Sequence, residues 1–132
     1  MIFVDASAMI SLIIGEADAD DLADRLSRDP RRNCSALSIW ETVAGLCRSH
    51  TLTVPAADAL VRSFLDFNDI NFIEMGEAQY GLAILAYARF GKGRHPASLN
   101  MGDCFAYACA QTQNAALLFK GDDFTKTDIR AA

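Results

Sequence analysis

Apolar and polar residues alternate along this chain in two rhythms. Short β-prone runs at Met1–Val4, Cys34–Leu37, Asn71–Met75 and, after a turn at Asn114, through Phe119 are predicted as strands. The longer segments between them place apolar residues three and four apart, the spacing of a helix face. Met9–Ile14 and Ala19, Leu22, Ala23 and Leu26 form the first two such segments. Trp40, Val43, Ala44 and Cys47 form the third, and Leu60, Val61, Phe64, Leu65 and Phe67 the fourth. Tyr80, Ile84 and Tyr87 mark the fifth, and Phe105, Ala108, Cys109 and Thr112 the last. Strands that alternate with helices in this way predict an α/β sandwich around a mostly parallel sheet. Trp40 and the Tyr80–Ile84–Tyr87 stripe are expected in the core, whereas the Leu60–Phe67 stripe suits either packing or a partner surface.

The chain has 132 residues and 52% hydrophobic composition, enough for one domain, residues 1–132, with a real core. No apolar run approaches the ~18 residues of a membrane span. The apolar N-terminus lacks a basic flank and contains Asp5, unlike a secretory signal, so a cytoplasmic protein with no membrane partner is expected. Cys34, Cys47, Cys104 and Cys109 have no metal-ligand spacing and read as reduced, mostly buried apolar residues. A formal net charge of −5 speaks against nucleic-acid binding through bulk positive charge, although an acidic site loaded with metal still attracts phosphate.

The chemistry-bearing residues are acids at the ends of predicted elements. Asp5 follows the first strand, Asp122 and Asp123 follow the last, and Glu41 and Asp103 fall in the first turns of helices. Each has a structural role open to it. Asp5 and Asp103 suit helix starts, and Ser38-Ile39-Trp40-Glu41 has the form of a capping box. Yet strand ends and helix starts share one rim of a parallel sheet, so these acids can converge. Clustered carboxylates repel unless a divalent cation sits among them, and oxygen donors without histidine or thiolate select Mg²⁺ or Mn²⁺. That set points to metal-assisted phosphodiester hydrolysis. The loop Gly91-Lys92-Gly93-Arg94-His95-Pro96 precedes the Asp103 helix and is positioned to meet phosphate; His95, without a paired ligand, is a poor metal or acid–base candidate.

Four segments in order, Ile2-Phe3-Val4-Asp5-Ala6-Ser7-Ala8, Ser38-Ile39-Trp40-Glu41, Asn100-Met101-Gly102-Asp103-Cys104-Phe105-Ala106-Tyr107-Ala108 and Leu117 through Asp128, resemble the VapC-type toxins of the PIN-domain ribonuclease family. The resemblance covers nearly the whole chain. It implies a PIN-like three-layer α/β/α fold, Mg²⁺-dependent RNA cleavage with Mn²⁺ as the alternative ion, and a cognate VapB-type antitoxin that occupies the active-site groove. Transfer or ribosomal RNA is the implied substrate class, and a homodimer the implied assembly. Asp5 and Asp103 match the metal-binding aspartates, and Glu41 matches the acid that completes the metal site or orients the attacking water. Ser7 matches a hydroxyl that supports Asp5. Asp123 is preferred over Asp122 as the fourth acid, with Asp122 in support, and Lys92, Arg94 and Lys120 are candidates to hold flanking RNA. The rival classes are a PIN-type nuclease in RNA processing without an antitoxin and a non-catalytic acidic signalling or binding module. A phosphoacceptor domain would want an acid pair after the first strand, where only Asp5 stands.

Overall fold

In the computed structural model, which describes residues 1–132, strand β1 (Ile2–Val4) lies inside a four-stranded sheet of order β3-β2-β1-β4. Its neighbours are β2 (Arg32–Ser35) and β4 (Ala116–Leu118), and β3 (Ile70–Ile73) forms the far edge. Every pairing is parallel, with Phe3 opposite Asn33 on one side and Leu117 on the other. Parallel neighbours require crossovers, and helices supply them. Helices α1 (Ala6–Ile14) and α2 (Ala19–Ser27) follow β1, α3 (Ala36–His50) and α4 (Val54–Phe67) follow β2, and α5 (Glu77–Phe90) and α6 (Met101–Thr112) follow β3. A 3₁₀ turn, Asp123–Lys126, follows β4. None of the helices is long and apolar enough to cross a membrane.

Alternation along the strands divides the core into two layers of contact. Phe3 and Leu117 point to one face and pack with Ala83, Ala86 and Phe90 of α5 and Cys104, Tyr107 and Ala108 of α6. Ile2, Val4, Cys34 and Leu118 point to the other, against Met9, Leu22, Leu46, Val61 and Leu65. Both faces of the sheet are therefore covered, and the architecture is the expected three-layer α/β/α sandwich. All four cysteines are free.

Helix α3 begins earlier than its sequence suggests. Ser35 is the N-cap: its Oγ accepts from the Ser38 amide at 3.1 Å, and the Ser38 Oγ accepts from the Ser35 amide at 2.9 Å. This reciprocal box, buried among apolar residues, displaces the Ser38–Glu41 box that spacing alone suggests. Glu41 falls in the second helical turn and is released from capping.

Two expected core groups face outward instead. Trp40 is 68% exposed, and Tyr80, Ile84 and Tyr87 of α5 are also exposed. Helix α5 is apolar nearly all round, so periodicity offers two adjacent stripes, and packing selects the one carrying Ala83, Ala86 and Phe90. Alanine permits close approach to α6, and Gln79 on the same stripe ties the two helices by donating to Thr112 Oγ1 at 3.0 Å. On α4, Val61 and Leu65 are buried while Leu60 and Phe67 remain in solvent.

The capping assignment makes a direct test. Ser35→Ala removes a buried cap and should lower unfolding stability in urea by about 1–2 kcal/mol, whereas Glu41→Gln should not destabilise the fold. Equal losses from both would restore Glu41 to a capping role.

Candidate metal-dependent active site

The carboxyl ends of β1 and β2 and the start of α6 meet at a cavity of about 400 Å³ lined by Asp5, Ser7, Trp40, Glu41, Arg48, Asn100 and Asp103, with Ala6, Ile10 and Ala44. Asp5 is only 5% exposed and serves as the N-cap of α1. Its Oδ2 accepts from the Ser7 amide at 3.0 Å and from Ser7 Oγ at 2.5 Å, leaving Oδ1 free of both bonds. Ser7 Oγ in turn accepts from the Lys120 amide at 3.0 Å, which fastens the chain after β4 to the site.

Asp103 is the third residue of α6 and one half of a capping box. Its Oδ2 accepts from the Asn100 amide at 3.1 Å, while its own amide donates to Asn100 Oδ1 at 2.9 Å. Glu41 reaches the cavity from α3. Its carboxylate lies directly over the Cα of Gly102, where the methyl group of an alanine would overlap it. Gly102 therefore lets an acid from one helix stand beside an acid at the start of another.

This proximity shows in the titration of the acids. Burial, then the charges of Asp5 and Asp103, pushes Glu41 up to about 7. Burial, with further contributions from Asp5 and Asp123, pushes Asp103 up to about 6 against the opposing Asn100 amide bond. Burial also raises Asp5, partly offset by the two Ser7 bonds. Arg48 is the one cationic side chain in the cavity wall. Three carboxylates with so little compensation repel one another, and hard oxygen donors of this kind are the type that suits a small divalent ion. No three acid, histidine or cysteine side chains close into a finished cage. This is compatible with Mg²⁺, which keeps several waters and is held by one or two carboxylates.

The remaining sequence candidates lie outside the cavity wall. Asp123 opens the 3₁₀ turn, and its charge is the one that reaches Asp103 from beyond β4. Asp122 acts through its carbonyl, which accepts from the Thr125 amide at 3.1 Å. Lys120 is paired with Glu16 and lies 3.5 Å from Asp18, Arg94 sits 4.9 Å from the Tyr87 ring centroid, and Lys92 lines a separate groove beside Ile84. His95 Nδ1 accepts from the Ala97 amide at 3.0 Å, and Asp128 accepts from the Tyr107 hydroxyl at 2.7 Å; both hold the fold. Sequence reading missed Trp40 and Arg48 as cavity residues. The spacing of Trp40, Ala44 and Arg48, four residues apart on one helix stripe, and of Glu41 and Arg48, seven apart, was the available signal.

Three comparisons with known proteins bear on the family and the fold. Residues 2–130 match the model of the PIN domain family. The chain is 40% identical over 130 residues to ribonuclease VapC42 of Mycobacterium tuberculosis, covering 98% of this chain and 97% of that protein. Among solved structures it resembles M. tuberculosis VapC20, a sarcin–ricin loop cleaving toxin, with a TM-score of 0.76 and 20% identity over 100% of this chain and 98% of that one. It also resembles VapBC-1 of nontypeable Haemophilus influenzae, with a TM-score of 0.75 and 18% identity over 100% and 97% of the two chains.

A metal-free protein should become more stable on mild acidification. Glu41 and Asp103 bind protons more tightly folded than unfolded, so stability falls as pH rises from the unfolded carboxylate range, about 4, through their folded values of about 6 and 7. The thermal midpoint should therefore climb as pH drops from 8 toward ~5. It should turn down below ~4, where the unfolded chain takes up protons at Asp29 and Asp128 while the folded chain, holding them low through Arg31 and through Tyr107 with Arg89, does not. Glu41→Gln should flatten the upper limb; a midpoint flat across that range in the wild type would contradict the cluster's repulsion. Added Mg²⁺ should raise the midpoint at neutral pH and much less at acidic pH.

Proposed function

This chain belongs to the PIN-domain family and to its VapC ribonuclease branch, and from that premise we propose that it is the toxin of a type II VapBC system, a Mg²⁺-dependent endoribonuclease. The observation that carries this reading is the gathering of Asp5, Glu41 and Asp103 around one cavity with a single cation in its wall. On this reading residues 1–132 act as one PIN domain, and transfer or ribosomal RNA is the substrate class.

Asp5 and Asp103 are the residues that would hold the ion. Mg²⁺, or Mn²⁺ in its place, would supply Lewis-acid chemistry there, polarising a phosphoryl oxygen and lowering the pKa of an attacking water. Ser7 fixes the Asp5 carboxylate through two bonds to one oxygen, so the other keeps its direction. Glu41, poised near neutrality in the metal-free chain, accepts the proton of the attacking water. Asp123 adds negative charge at the rim of the site, with Asp122 in support through the backbone turn.

A cognate VapB-type antitoxin is the proposed inhibitor, supported by the likeness to VapBC-1. A homodimer is the proposed assembly. Exposed Leu60 and Phe67 on α4 and Tyr80, Ile84 and Tyr87 on α5 offer both partners apolar surface to cover.

Purified, antitoxin-free protein should cut a mixed tRNA and rRNA pool into discrete fragments with Mg²⁺ or Mn²⁺ and not with EDTA. Asp5→Asn and Asp103→Asn should abolish the fragments while remaining folded, and Ser7→Ala should cut about 10–100-fold more slowly. Cleavage that survives both aspartate substitutions would remove the acid cluster from the mechanism.

A further inference from the structure

The acid cavity has little positive charge with which to hold RNA. Arg48 alone lines it; Lys120 is paired with Glu16, Arg94 lies over Tyr87, and Lys92 belongs to another groove. Electrostatic grip scales with the number of phosphates neutralised, so one guanidinium leaves most of the binding to other contacts. An uncommitted aromatic surface stands at the same place. Trp40, the only tryptophan of the chain, is 68% exposed and lines the cavity immediately beside Glu41.

Trp40, Ala44 and Arg48 lie four residues apart on one stripe of α3, and all three line the cavity. The small alanine leaves a shallow trough with an indole at one end and a guanidinium at the other, about 12 Å apart along the helix axis. An aromatic face accepts any unpaired base, and an adjacent arginine accepts a phosphate. We propose that Trp40 is a nucleobase-stacking platform that, with Arg48 on an adjoining phosphate, seats single-stranded RNA over the Asp5–Glu41–Asp103 cavity. The proposal rests on the ribonuclease reading above, and it requires the seated base to be unpaired, because bases within a helix cannot stack on a side chain. Trp40 also borders an apolar groove of about 960 Å³ with Ile39, Val43, Val54 and Phe72, so a protein segment competes as its occupant.

Because Trp40 is the only tryptophan, its fluorescence reports on the subsite directly. In EDTA, where cleavage is suppressed, a short oligoadenylate should quench it. An abasic strand of equal length and charge, or a blunt RNA duplex, should not. Asp103→Asn should keep the quench. In cleavage assays Trp40→Ala should raise KM about 5- to 150-fold with kcat little changed, and Trp40→Phe should recover most of that loss. Arg48→Ala should lower the salt dependence of oligoadenylate binding by about one phosphate. No quench, an equal quench by the abasic strand, or an unchanged KM in Trp40→Ala overturns the proposal. If Trp40→Ala binds and cuts RNA normally but no longer co-purifies with its antitoxin, the indole belongs to the apolar groove instead. If the wild type cuts no RNA with either metal while oligoadenylate still quenches selectively, the ribonuclease reading falls and the stacking subsite stands.

Discussion

The repulsion among Asp5, Glu41 and Asp103 is the constraint around which the rim of this sheet is organised. Carboxylates free to move would separate; here the backbone does not let them. Asp5 is fixed at the end of a fully buried strand, Asp103 at the start of a helix buried on nearly every side, and Glu41 on a helix that crosses Gly102. The charges therefore stay close, and burial together with proximity raises their proton affinity. On the proposed reading a divalent cation would relieve this repulsion, so that the cost to the fold and the capacity for chemistry would arise from the same geometry.

Helix capping and metal chemistry share residues without competing. A carboxylate has two oxygens, and at both Asp5 and Asp103 the capping bonds fall on Oδ2. The same bonds that complete α1 and α6 leave the other oxygen of each carboxylate outside those capping bonds, and both residues line the cavity. Ser7 extends this economy, since one hydroxyl donates to Asp5 and accepts from the chain leaving β4. The start of α1 and the segment after β4 are thereby tied together at the site.

The scarcity of positive charge near the cavity fits the overall charge of −5. Several lysines and arginines elsewhere are paired: Lys120 with Glu16, Arg62 with Asp58 and Arg89 with Asp128. On the proposed reading attraction for phosphate would fall to an ion among the acids, with Arg48 as the one cationic side chain at the wall. A tryptophan in solvent at that wall is the natural complement, because stacking is insensitive to net charge.

The order of strands and helices was legible in the sequence, because buried parallel strands and amphipathic helices leave distinct periodicities. The acids at the ends of those elements were legible too, since the carboxyl rim of a parallel sheet is a consequence of chain order alone. What periodicity could not decide was which face of an apolar helix turns inward. Trp40 and the Tyr80–Ile84–Tyr87 stripe match the core pattern as well as the residues that are buried, and only the tight contact between α5 and α6, favoured by alanines, chose between them. Nor could spacing separate the two serine boxes at the start of α3. The buried pairing of Ser35 with Ser38 settles that helix start, and with it the freedom of Glu41 to face the cavity. Local sequence determined the elements and their chemistry; close packing between elements distant in sequence, above all Glu41 against Gly102, decided which side chains meet.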